Sequence, residues 1–340
     1  MKQFLSQTDA IQHAIQMTHT AATHVQHICQ RVQRLSATPP VQINHQHIAS
    51  LVDITQQETV NDCYSDARIA MGVIVAAFVR QVCDESVTSA LSLYDAIMRA
   101  SHSSAELYRK SYVFDIDTSE IESAYTAANA DIKAVQTMQP QHDMCHVLDG
   151  LIQHMDVIMS WRRTFPTVGW DTAHSERDNL STVQPDDWAS DDAYHIEYYY
   201  DYEKQHYLNA EDAHKRFTEL CLLATDELVA TLQSYQDPRI VAVCMAYDAL
   251  LVAQSAYHEI VSIHETFMRA TMRATEHQLS MRNPMLKALQ TNEFLVTLLS
   301  VSVHHAADAL AVACPIAQGA AHHACQAVSA ITQYMESPAP

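Results

Sequence analysis

Apolar residues recur along most of this chain at spacings of three and four, the period of an α-helix with one buried face. The clearest run follows Pro238 and meets no breaker until about Ser280. Ile240, Tyr247, Val261 and Met268 keep a spacing of seven that is broken at Gln254, and Val243, Leu250 and Tyr257 fall between them. That is one face of a helix in a bundle. At 1.5 Å per residue the run predicts a helix about 64 Å long. Asp237-Pro238 supplies its start, a cap residue followed by proline at the first helical position.

Other starts and stops punctuate the rest. Helices are expected over 8–35, ending before Pro39-Pro40; within 43–80, around the apolar run Ile69–Val79; and over 84–112. Ser119-Glu120-Ile121-Glu122 matches a capping box and opens a helix to about Met138, and 142–165 follows Pro140. Pro166 begins a long irregular stretch to Ser190, which a compact domain uses either as a functional loop or as a linker. Further helices are expected over 191–207, from a cap at Asn209 to about Tyr235, and after the cap-proline pair Asn283-Pro284; Pro315 is expected to start a last helix. The chain thus reads as an N-terminal helical region (1–165), a linker or functional loop (166–190), and a C-terminal bundle with an apolar terminal hairpin (191–340).

Composition supports this picture. Four glycines and ten prolines in 340 residues are too few for the tight turns of a sheet protein or the phosphate loops of an α/β nucleotide fold. An all-α, multi-helix bundle with long antiparallel helices in two helical halves is the expected fold. From Phe294 to Tyr334 Asp308 is the sole formal charge apart from histidine. Histidine pairs and Pro315 interrupt that stretch before either half reaches some twenty residues, so no conventional transmembrane span is expected there.

Charge narrows the partners. The net charge of −20, with histidine neutral, repels phosphate backbones and anionic lipid. Nucleic acid is therefore not an expected partner. Twenty-one histidines could cancel most of that charge below their ordinary pKa of about 6.5. Eight cysteines lie scattered without a CxxC pair, which fits reduced thiols in an intracellular compartment. The opening MKQFLSQTDAIQHAIQ lacks a secretory apolar core, and the stretch through Arg34 is amphipathic and poor in acids. Cytoplasm is the expected location, with the mitochondrial matrix as the alternative.

Candidate chemistry is diffuse. Carboxylate-x-x-histidine pairs occur at Asp143/His146, Asp171/His174, Asp192/His195, Glu203/His206 and Glu211/His214. On a helix such a pair shares a face, the arrangement used by di-metal carboxylate bundles. Glu203, His206, Glu211 and His214, with Glu259 or Glu265 beside His258 and His264, form the candidate site for iron, manganese or zinc. His304, His305, Cys314, His322, His323 and Cys325 could approach one another in an antiparallel terminal hairpin and suit zinc or copper. His142-Asp143 resembles the doublet of the all-helical HD-domain phosphohydrolases. Gln139-Pro140-Gln141 stands before it where that family has an apolar helical run. Asp186-Asp187 with Asp191-Asp192 resembles the aspartate-rich motif of isoprenoid synthases, but their second motif is missing downstream.

Tyr194, Tyr198, Tyr199, Tyr200 and Tyr202 circle their helix instead of lining one face, and Trp170 and Trp188 lie nearby. Tyrosine and tryptophan bury large area while keeping a polar end, so these residues form the candidate protein interface. No Walker loop, nucleophile elbow, HExxH, kinase set or EF-hand occurs. The expected function is a non-catalytic helical structural or scaffold subunit of a protein assembly, with no cofactor. The alternatives are the metal-dependent bundle enzyme and a pH-responsive protein driven by histidines on core faces, among them His264, His304 and His305.

Overall fold

The computed structural model describes residues 6–36, 57–81, 85–111, 118–164, 215–280 and 293–335. Among them are eight helices and no strand, so the protein is an all-α, multi-helix bundle. The helices are α1 (Gln7–Ser36), α2 (Gln57–Val79), α3 (Glu85–Ser111), α4 (Thr118–Thr137), α5 (His142–Thr164), α6 (215–232), α7 (Pro238–Ser280) and α8 (Glu293–Met335). They group into two compact units, one holding Val82–Thr231 and the other Phe4–Gln81 together with Leu232–Pro340. The units do not coincide with an N-terminal and a C-terminal half: α1 and α2 belong with α7 and α8. The expected linker at 166–190 lies outside the described residues.

The second unit is a heptad-packed four-helix bundle. Buried residues step by three and four along every helix: Ile11, Ala14, Thr18, Ala21, Val25 and Ile28 on α1, and Val60, Tyr64, Ala67, Met71, Ile74 and Phe78 on α2. On α7 they are Ile240, Val243, Tyr247, Leu250, Gln254 and Tyr257, and on α8 Leu310, Cys314, Ala317, Ala321, Ala324, Val328 and Ile331. Such rows mesh at a small crossing angle, as in left-handed bundles. Each fully buried Leu or Ile contributes about 1.5–3 kcal/mol by leaving water.

Side-chain contacts set the directions. Cys29 and Thr18 of α1 meet Cys314 and Cys325 of α8, so a step of eleven residues forward on one helix is eleven back on the other. Asn61, Arg68 and Gln81, from α2 and just beyond it, meet His258, then Gln254 and Tyr247, then Arg239. Both pairs are antiparallel. With α1 also against α2, and α7 against α8, the bundle closes in the order α1, α2, α7, α8.

Caps explain the boundaries. Ser6 Oγ accepts the Asp9 amide at 3.1 Å and donates to the Asp9 carboxylate at 2.8 Å, a reciprocal cap that opens α1 just before the expected Thr8. Asp237 caps α7 as its sequence suggests: its Oδ1 accepts the Arg239 amide at 2.8 Å. Arg239 also donates to its other oxygen at 2.8 Å and holds the carboxyl below its ordinary range. In the first unit α4 ends with Gln139 in the left-handed region, φ 54°, immediately before Pro140.

The apolar terminal hairpin is corrected. Glu293–Met335 is one helix of 43 residues with Pro315 inside it. Interior proline removes a backbone bond and costs about 3 kcal/mol or more in isolation. The buried row from Leu310 to Ile331 runs through Pro315 without a phase shift, so packing on α1 and α7 outweighs that cost. Gly319 lies on the same helix with nothing within 4 Å of where a Cβ would stand. Gly319→Ala should therefore stabilise the chain by about 1 kcal/mol, read as a higher urea midpoint at unchanged slope.

The first unit brings α3, α4 and α5 together with α6. Lys110 near the end of α3 reaches Glu120 at the start of α4, 3.8 Å away. Tyr125 donates to Asp156 at 2.5 Å and Gln136 to Asp149 at 3.3 Å, which sets α4 antiparallel to α5. Cys221 of α6 donates to Ser101 of α3 at 3.4 Å. Ile97, Leu107, Ile132 and Leu148 are fully buried between these helices.

Candidate functional site

The chemistry that stands apart from an ordinary apolar core lies inside the four-helix bundle. Arg68 sits on α2 beside the buried row and is 8 % exposed. Its Nε donates to Tyr247 Oη at 3.1 Å and its Nη1 to Gln254 Oε1 at 3.0 Å. Tyr247 and Gln254 are seven residues apart on α7, hence on one face, and a planar guanidinium spans both. The Arg68 guanidinium carbon also lies 5.4 Å from the Tyr247 ring centre, within cation–π range.

Four residues before Arg68 on the same helix, Tyr64 is fully buried, and Tyr257 lies close to it across the core. Neither hydroxyl has a hydrogen-bond partner among the described residues. Burial raises both phenols above their ordinary value, Tyr257 to about 12. On α1, His13 is buried with its Nε2 3.7 Å from the Asp66 carboxylate of α2.

A groove of about 420 Å³ runs along the α1/α8 seam. His19, Thr23 and Gln26 line it from one side, Gln318, His322 and Cys325 from the other, and Ala22 and Ala321 floor it. Small residues at the seam let the two backbones approach closely. The groove offers imidazole, amide and hydroxyl groups and one thiol, without a carboxylate. Cys325 turns that thiol inward to the Thr18 carbonyl at 3.6 Å. One turn beyond the groove, Cys29 meets Cys314.

The sequence candidates fare differently. Glu203, His206, Glu211 and His214, and the interface candidates Trp170, Trp188, Tyr194, Tyr198, Tyr199, Tyr200 and Tyr202, lie outside the described residues. Glu259 and Glu265 are exposed on α7, and the side chain of His264 lies outside the described set. Among the described residues no group of three or more His, Cys, Asp or Glu is placed to hold a metal ion. The described members of the His/Cys set of α8 are accordingly not assembled, and the side chain of His304 lies outside the described set. Cys314 and Cys325 point into the core, whereas His305, His322 and His323 are exposed. With the hairpin replaced by one continuous helix, residues eleven or more apart cannot converge. His142 and Asp143 are both exposed at the start of α5, the ordinary place for a dipole-compensating acid.

The Arg68 layer was missed from sequence. Its one visible trace is Gln254, the polar break in the apolar row of α7. Among the described residues, one segment, 238–263, is long and apolar enough to cross a membrane. Half of its apolar window is buried inside the structure, where Tyr247 and Gln254 receive Arg68. The chain matches no protein-family model, no curated protein and no solved structure.

Proposed function

We propose that the protein is a non-catalytic helical scaffold subunit that docks on other protein surfaces in a reducing intracellular compartment. The observation that carries this reading is the outward face of α7. Val241, Met245 and Val252 stand 38 %, 64 % and 59 % exposed. At 100° per residue they fall within about 40° of one another, one stripe opposite the buried row. Val312 and Ile316, one turn apart on α8, repeat the pattern at 66 % and 62 %. Single exposed apolar residues are ordinary, but aligned stripes on long helices are surfaces that association covers. The net charge of −20 turns such a surface away from nucleic acid. No observation among the described residues favours the metal-dependent or histidine-driven readings.

Native mass spectrometry and light scattering on the untagged full chain test the proposal. The wild type should self-associate or retain a protein partner. The double variant Met245→Glu/Val252→Glu should weaken that association on the order of a hundredfold while its helicity and unfolding midpoint stay unchanged. A monomeric wild type that retains no partner overturns the proposal, as does a double variant that associates as well as the wild type.

A further inference from the structure

Seven cysteines stand outside any disulfide among the described residues, and two of them meet across one helix seam. Cys29 occupies the buried side of α1 and Cys314 the buried row of α8, both with no exposure. The Cys29 thiol lies 3.5 Å from the Cys314 carbonyl oxygen and within hydrogen-bonding reach of its sulfur. The pairing is in register with Thr18 and Cys325, which meet eleven residues away on each helix. Ala14 and Ala21 on α1 and Ala317, Ala321 and Ala324 on α8 keep the seam narrow. A disulfide needs Cα atoms within about 7 Å, closer than helices separated by larger side chains allow. The alanine seam removes that obstacle.

We propose that Cys29 and Cys314 form a redox-responsive dithiol site, oxidised by a hydroperoxide to a disulfide that staples α1 to α8. The two thiols are not equivalent. Hydrogen bonding from Cys29 lowers the pKa of Cys314, and the same contact, with burial, raises that of Cys29. Cys314 is therefore the attacking sulfur. Its thiolate displaces hydroxide from the peroxide, which breaks the O–O bond and leaves a sulfenic acid. The Cys29 sulfur then attacks the Cys314 sulfur and expels the second oxygen, the Cys29 proton leaving with it as water. Two thiols are oxidised and one hydrogen peroxide is reduced to two waters. Entry is local: Cys29 lies two turns from the end of α1, where helices fray, and the His19/His322 groove ends one turn away.

The staple closes a very long stretch of chain, so it restricts the unfolded state strongly. The test is hydrogen peroxide titration of the reduced, full-length protein, followed by non-reducing peptide mapping and thiol counting in denaturant. The expected product is a Cys29–Cys314 linked peptide, loss of two of the eight thiols, and a rise in urea midpoint reversed by dithiothreitol. Cys29→Ala and Cys314→Ala should each abolish the link and the midpoint rise, and Cys314→Ala alone should also abolish sulfenic acid trapping. Oxidation confined to Cys325, or linked peptides spread among Cys63, Cys244 and Cys325, overturns the proposal. So does a wild type whose thiol count stays at eight while exposed methionines oxidise.

Discussion

Replacing Gln254 by leucine should destabilise the protein by about 2–3 kcal/mol, even though it perfects the apolar heptad of α7. By pattern alone the change looks favourable, since leucine suits a bundle seam and Gln254 is the position that interrupts it. The structure reverses the sign. Gln254 Oε1 accepts from Arg68 Nη1 at 3.0 Å inside the core, and leucine would remove that acceptor while the guanidinium stays buried. A hydrogen bond to a charged group is worth roughly twice a neutral one, and losing its acceptor inside a core costs more than losing it at the surface. Arg68→Leu combined with Gln254→Leu should recover much of the loss, because an apolar pair of similar volume often matches a buried polar one. Urea unfolding of the two single variants and the double variant closes the cycle. A Gln254→Leu protein as stable as the wild type, or a double variant merely additive, would refute this account of the layer.

Tyr64→Ala should cost about 3–5 kcal/mol, while Tyr64→Phe should be neutral or stabilising by about 1 kcal/mol. The contrast separates the ring from its hydroxyl. The ring is completely buried, and its removal opens a cavity that the surrounding close-packed core refills incompletely. The hydroxyl is buried without a hydrogen-bond partner among the described residues, so phenylalanine keeps the packing and removes an unmet desolvation cost. The same group gives a pH signature. Unfolded phenols titrate near 10, whereas burial raises Tyr64 and pushes Tyr257 up to about 12. Above about pH 10 the unfolded chain loses protons that the folded chain keeps, so stability present below that pH is lost as pH climbs towards the folded values. Tyr64→Phe/Tyr257→Phe should make the alkaline decline shallower. Equal costs for Tyr64→Phe and Tyr64→Ala, or an unchanged alkaline slope, would show that the hydroxyl is satisfied in solution.

Most of the candidate site could not be read from sequence, for a definite reason. Gln254 was visible as a break in a row, but its partner Arg68 lies 186 residues earlier, and no local pattern selects one arginine for that role. Cys29 and Cys314, 285 residues apart, looked like two small hydrophobes, each correct for its own helix. Carboxylate–histidine spacing says where residues share a face and not whether that face is buried; the described pair of this kind, Asp143/His146, is exposed. Among the described histidines, His19, His27, His102, His142, His146, His258, His305, His322 and His323 are all exposed.

Helix content, by contrast, was set locally. The near absence of glycine, the period of the apolar positions and caps such as Asp237-Pro238 were enough to determine an all-α chain and the span 238–280, because backbone hydrogen bonds and caps close within a few residues. Pro315 marks the limit of that logic. Proline is locally a helix stop, yet α8 continues through it because a seam shared with α1 and α7 stabilises the helix on both sides. Only the tertiary structure decided which helices share a core: it joined the first two to the last two, placed one arginine against one glutamine, and set two cysteines face to face. Those outcomes depend on side chains from distant segments meeting in register, and that information exists in the chain only once it is folded.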